Sequence, residues 1–204
     1  VKRIRPELVA NGPDEVWCWD ITWIHSEVTG KYYYLYLIID MYSRFIVGWS
    51  VHTKEDGVLA RHLFADAIEE HCPSCPAKLL VHADNGKPMR SKDLKSLFEK
   101  LNVMSSHGRP HTSNDNAFAE SIFATMKGRV IYPEYFNCIE DAEAFVAEFV
   151  EWYNYEHLHS SLDLLTPYSV HYGMQDEILE RRNNLIEEAR KLHPERFGTI
   201  RKVY

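Results

Sequence analysis

Apolar residues along this chain follow two rhythms, one of period two and one of period three to four. In "WCWDITWI" (17–24) the tryptophans share one parity and Asp20 takes the other. That alternation among β-formers predicts a strand with an acid in its middle. "KYYYLYLIID" (31–40) predicts a near-continuous second strand, and "FIVGWSVHT" (45–53) a third after the polar turn "MYSR". So short a turn cannot carry a parallel crossover, which takes a dozen residues or more, so the three strands form an antiparallel meander. Val58, Leu59, Leu63, Phe64, Ala67 and Ile68 then recur at helical spacing, predicting an amphipathic helix over 56–70. "AKLLVHAD" (77–84) is a short strand reached by that helical crossover, hence parallel to its neighbour. Ser91 is placed to cap a second helix bearing Leu94, Leu97, Phe98 and Leu101, and a brief strand "VMSS" (103–106) follows.

"HGRPHTSNDN" (107–116) has the composition of a mobile polar loop, and Asn114 or Asp115 can cap a helix from about Asn116 to Val130. A longer helix over 140–155 places Ala142, Phe145, Val146, Phe149, Val150 and Tyr153 on one side. In the last, over 175–192, Ile178, Leu185 and Leu192 fall seven apart, a heptad seam too short to establish a coiled coil. The order βββαβαβα followed by further helices predicts a mixed α/β fold around a central five-stranded sheet. No internal repeat interrupts it.

With 204 residues, 45% of them hydrophobic, the chain can bury one core of ordinary size. No apolar run approaches the roughly 20 residues of a membrane span, and no signal-peptide pattern opens the chain, so a soluble cytoplasmic protein is expected. Val1 in place of a methionine leads to the expectation that the chain is cut from something longer. The net charge of −7 has the wrong sign for a domain that holds nucleic acid by electrostatics alone. "VKRIR" and "RKVY" at the two ends are the basic exceptions, and solvated tails account for them as well as a DNA role does. Cys72 and Cys75 form a CxxC with no partner pair at zinc-finger spacing, in a proline-flanked context unlike a redox turn. They read as incidental.

Open α/β sheets place their chemistry at the carboxyl ends of strands, which singles out Asp84 in "HADNG" (82–86). Gly86 permits a sharp bend past the acid, and Asn85 can fix the turn with its side chain. Asp20 lies on the first strand, and if that strand is central the two carboxylates meet on adjacent strands. Such a pair persists when a proton or a metal neutralises it, and an all-oxygen ligand set fits Mg²⁺ or Mn²⁺. A third acid is expected from a helix facing that edge. Glu120 is the natural choice, since Asn116 and Lys127 project from its helix face while Phe118, Ile122, Phe123 and Met126 face the core.

The order Asp20, Asp84, Glu120, with 35 residues (85–119) between the last two, resembles the DDE catalytic core of retroviral-integrase-like transposases of the bacterial insertion-sequence type. Spacing alone is weak in a chain with 30 acids. Five motifs in the family's order carry the resemblance: "WDITWI", "YLYLIIDMYSRFIVGWSV", "HADNG", "NDNAFAES" with Lys127 beyond it, and "WYNYEHLHSSLDLLTP", spanning about Trp17 to Tyr168. The resemblance implies an RNase H-like fold with additional C-terminal helices. It also implies two Mg²⁺ (or Mn²⁺) ions held by Asp20, Asp84 and Glu120, with Asp20 bridging, for DNA strand cleavage and strand transfer at insertion-sequence ends. DNA would be the partner and a homo-oligomer assembled on DNA the working form, with an N-terminal helix-turn-helix region supplying the affinity that an acidic core lacks. Residues 15–172 would form the core, 1–14 an N-terminal linker and 173–204 a C-terminal helix and basic tail, acting in the bacterial cytoplasm.

Lys127 resembles the lysine these proteins place beside element-end DNA; the other reading is a solvated helix lysine. Arg109, His111 and Asn116 lie on or beside the polar loop, where they could contact phosphates. His82 is either an orienting group for the Asp84 turn or a hydrogen-bonded core residue, and Asp40 reads as a turn acid. His159 matches a family histidine, while the arginine that relatives carry near 157 or 158 is missing. Trp17, Trp19 and Trp23 are expected in the core. Two other readings remain from the sequence: a hydrolytic RNase H-like nuclease, against which the "WYNYEHLHSSLDLLTP" block argues, and a non-catalytic domesticated DNA-associated module, against which the intact trio of acids argues.

Overall fold

The computed structural model describes residues 8–73, 78–84, 86–107 and 117–197. Strands β1 (Val16–His25), β2 (Tyr32–Asp40) and β3 (Ile46–His52) form the antiparallel meander; β4 (Leu80–Ala83) and β5 (Met104–His107) join parallel to β1 and to one another. The sheet order is β3-β2-β1-β4-β5, so β1 is the middle strand. The parallel step from the meander to β4 is made by α1 (Gly57–His71), and the step from β4 to β5 by α2 (Lys92–Leu101). Both helix starts were legible: Asp56 caps α1 by accepting from the Val58 N–H, and Ser91 caps α2 by accepting from Leu94 at 3.2 Å.

Period two in β1 and β2 becomes a three-layer molecule. One parity, with Trp17, Trp19, Tyr36 and Ile38, packs under Ala60, Phe64, Ala67 and Ile68 of α1 and Leu94 and Phe98 of α2. The other, with Cys18, Ile24, Leu35, Leu37 and Ile39, packs under α3 (Ala117–Lys127) and α4 (Ile139–Tyr155). Within these helices Ala119, Ile122, Phe123 and Met126, then Ala142, Val146, Phe149 and Tyr153, are the buried positions, as their spacing predicts. The short α5 (Pro167–His171) returns the chain to the end of the sheet where β1 starts, and α6 (Gln175–Leu192) buries no residue.

One expectation about the core needs correction. Trp17 and Trp19 are fully buried, but Trp23 is 51% exposed. It lies beyond the cover of α1, where its Nε1–H donates to Glu55 Oε1 at 2.7 Å and its ring packs beside Tyr32 and Tyr34. Asp40 is the turn acid expected of it, fully buried and accepting from the N–H and Oγ–H of Ser43 and from the Asp14 N–H. Cys75, and with it the CxxC pattern, lies outside the described residues.

Candidate active site

Asp20 sits at the middle of the middle strand. Parity sends its side chain to the face of Cys18 and Ile24, the face covered by α3 and α4, and its Oδ1 accepts from the Ile21 N–H at 2.8 Å. Asp20 is half-buried. Burial pushes its carboxyl up to about 7; the Ile21 hydrogen bond opposes this, and the charges of Asp84, Glu120 and Glu55 add to it. Four acids therefore share one field, contributed by β1, the end of β4, α3 and the segment after β3.

The approach of Asp84 follows from register. β1 and β4 are parallel with Cys18 opposite His82 and Trp19 opposite Ala83, so the next step brings Asp84 beside Asp20 with the same parity. Asp84 is exposed at the carboxyl end of β4. Its Oδ1 accepts from the Gly86 N–H at 2.8 Å, which clamps the carboxylate onto the turn. A Cβ on residue 86 would come within 2.8 Å of Met89 Sδ and 3.0 Å of that same oxygen, so a larger residue there would push the Met89 side chain and the clamped carboxylate aside. Asn85 lies outside the described residues.

Glu120 is exposed in the first turn of α3. Seven residues on, about 10 Å along the helix, Lys127 Nζ donates to Thr22 Oγ1 at 2.8 Å and to the Trp23 carbonyl at 3.0 Å. These bonds fix α3 along β1, with Glu120 toward Asp20 and Lys127 toward the strand's far end. Lys127 is thus tied to the sheet and not simply solvated, and its desolvation there lowers its pKa. Asn116, Arg109 and His111 lie outside the described residues.

Two contributors escaped sequence reasoning. Glu55 adds to the acidic field at Asp20 while holding Trp23, and nothing in "TKEDG" distinguishes it from a solvated acid. His107, opposite Ala83 at the end of β5, places Nδ1 3.1 Å from the Asp84 carbonyl oxygen. The strand pairing could have flagged it, since β5 ends where β4 ends. His82 is buried with Nδ1 3.2 Å from Ser106 Oγ, a neighbour on β5.

A five-stranded sheet of order 3-2-1-4-5 with helices on both faces is the RNase H-like fold of integrase and transposase cores. The model of the integrase core domain matches residues 10–113, and a second integrase core domain model matches residues 101–167. This chain belongs to the integrase core domain family. It is 32% identical over 169 residues to the transposase for insertion sequence element IS904 of Lactococcus lactis, covering 80% of this chain and 65% of that protein. To the transposase InsF for insertion sequence IS3A of Escherichia coli it is 29% identical over 165 residues, covering 80% and 56%. The chain thus spans between about half and two thirds of these relatives. Among solved structures, the HTLV-2 integrase catalytic core domain in complex with magnesium superposes with a TM-score of 0.57 at 14% identity, over 80% of this chain and 99% of that one.

Proposed function

We propose that this chain is the catalytic domain of an insertion-sequence transposase, cutting and joining DNA strands at the element's ends with Asp20, Asp84 and Glu120 as its metal-holding acids. The observation that carries the reading is Asp20 on the middle strand, half-buried in the combined field of Asp84 and Glu120. A half-buried carboxylate holding its proton to about 7 is a poor structural element but a prepared ligand, because a divalent cation relieves the same repulsion that raises it. The donor set is all carboxylate oxygen, which fits Mg²⁺ or Mn²⁺ and disfavours zinc. Two such ions, when bound, would supply charge stabilisation at the attacking and leaving oxygens.

The remaining work falls to the chain itself. The Gly86 N–H and His107 fix the Asp84 carboxylate and carbonyl, the bonds to Thr22 and Trp23 hold α3 so that Glu120 faces Asp20, and Asp20 is held by its own strand. In this reading Lys127, Asn116, Arg109 and His111 border the DNA. Lys127 would exchange its bonds to β1 for a phosphate when DNA arrives. Residues 15–172 form the core, flanked by a linker at 1–14 and an appended helix and tail at 173–204, and the working form is a homo-oligomer on paired ends in the bacterial cytoplasm. Among the described residues no helix is long and apolar enough to cross a membrane.

Calorimetric titration of Mn²⁺ tests the site directly. The chain should bind the ion and an Asp20→Asn/Asp84→Asn variant should not, with Mg²⁺-dependent strand transfer by the full-length protein abolished by either single change. Equal binding by both proteins, or strand transfer by Asp84→Asn, would remove these acids from the catalytic role.

A further inference from the structure

A second constellation lies where β1 begins. Asp14, just before β1, His71, the last residue of α1, and His171, the last residue of α5, present ligand atoms that all lie within 4.8 Å of one another. Among the described residues this is the one such set of three, and it shares no residue with the acids around Asp20. Asp14 precedes Asp20 by six positions, up to about 20 Å of extended chain.

The hydrogen bonds around His171 settle which of its nitrogens is free to bind. Ser43 Oγ lies 2.6 Å from Asp40 Oδ1, and because a carboxylate only accepts, the hydroxyl hydrogen goes to Asp40. The same oxygen lies 3.0 Å from His171 Nδ1, so Nδ1 carries the hydrogen and donates to Ser43. In the neutral ring Nε2 then carries a lone pair, and it points at Asp14 Oδ2 from 3.7 Å. Asp14 is prepared in the same way: the Trp17 Nε1–H occupies Oδ1 at 2.9 Å, leaving Oδ2 toward the histidines. With the ring neutral, two acceptors face each other with no hydrogen between them, and a cation bound there, whether a proton or a metal ion, removes that conflict.

We propose that Asp14, His71 and His171 form a zinc site, with Asp14 Oδ2, His171 Nε2 and one ring nitrogen of His71 as three tetrahedral ligands and water as the fourth. Metal–ligand bonds of about 2.0–2.1 Å put tetrahedral ligands about 3.3 Å apart, so the 3.7 Å separation of Asp14 and His171 needs little closing. Two imidazoles with one carboxylate select zinc over the hard cations suited to Asp20. The Asp40–Ser43–His171 chain is the kind of support that fixes a ligand's tautomer and orientation. Phe45 stacks on the His171 ring at 4.7 Å and Trp17 meets the His71 ring edge-on, so the ligands are held by packing as well. The carbonyl end of the 15-residue α1, where His71 sits, favours a cation further. The ion would cross-link three segments remote in sequence and hold α5 to the sheet, apart from any catalytic metal.

The test is zinc titration of the EDTA-stripped chain against a chromophoric chelator, with Co²⁺ as a spectroscopic substitute. One zinc per chain, a tetrahedral Co²⁺ absorption band, and affinity at least about 100-fold weaker in His71→Gln are expected, with Asp20→Asn and Cys72→Ser binding as tightly as wild type. Histidine ¹⁵N spectra of the wild-type chain supply a readout that no folding defect can imitate: on zinc addition His171 Nε2 should shift while Nδ1 stays protonated. Absence of competition with the chelator, affinity unchanged in His71→Gln, affinity lost in Cys72→Ser or Asp20→Asn, or His171 unmoved by zinc would each overturn the assignment.

Discussion

At the scale of single residues, Asp20 sets a stability cost against a function. An acid released at 3.8 in the unfolded chain and at about 7 in the folded one binds more protons when folded across that interval. Folding stability therefore falls as pH rises from about 4 to about 7 and is level above it. The full loss is on the order of 4 kcal/mol in metal-free protein. Asp20→Asn should remove most of this slope, so in EDTA at pH 8 the variant melts above wild type, while added Mn²⁺ stabilises wild type alone. Urea melts across pH 4–8 measure it; a variant that keeps the wild-type slope would place the titration elsewhere. The site itself was partly legible in the sequence. Asp84 could be read from its place between an apolar strand and a glycine, and Asp20 from its parity, because both signals are local. Glu55, His107 and the Asp14–His71–His171 set were not, because each depends on strand register or on the return of α5, which no local pattern encodes.

At the scale of elements, period-two and helical patterning recovered the five strands and helices α1 to α4 and α6 to within a few residues, since burial on one side of a regular element is a local property of sequence, while the five-residue α5 is too short to show a period. What patterning missed is how closely elements approach. Gly57 opens α1 directly against Ser91, the cap of α2, and a Cβ at 57 would overlap Ser91 Cβ and Oγ. Gly57→Ala should therefore destabilise by about 2 kcal/mol, the cost of overpacking and a disturbed cap exceeding the helix propensity gained. That amounts to a melting point about 4–8 °C lower for a chain of this size. Removing the opposing Cβ in Gly57→Ala/Ser91→Gly should recover part of the loss, a non-additivity that a double-mutant cycle reads. Additive effects in that cycle would show that the two residues do not collide.

At the scale of the whole molecule, the distribution of contacts separates a dense body from a light appendage. The sheet and α1 to α4 share the two cores, whereas α6 leaves Leu185 60% and Leu192 76% exposed. Its firmest tie is Arg182, whose guanidinium donates to the carbonyls of Asp163 at 2.9 Å and Leu164 at 2.8 Å. Those carbonyls belong to two consecutive residues with positive φ, 54° and 57°, in the turn that leads to α5. Exposed hydrogen bonds of this kind each contribute about 1 kcal/mol net. Deleting residues 175–204 should accordingly leave a cooperatively folding chain whose melting point lies within about 8 °C of the parent. Arg182→Ala in the full chain should reproduce most of that change, because the rest of α6 adds little to the body. Calorimetric melts of the three proteins decide it. If truncation abolishes cooperative unfolding while Arg182→Ala does not, α6 stabilises the body through its apolar side, and the half-buried Ile178, Leu179 and Ile186 are where those contacts lie.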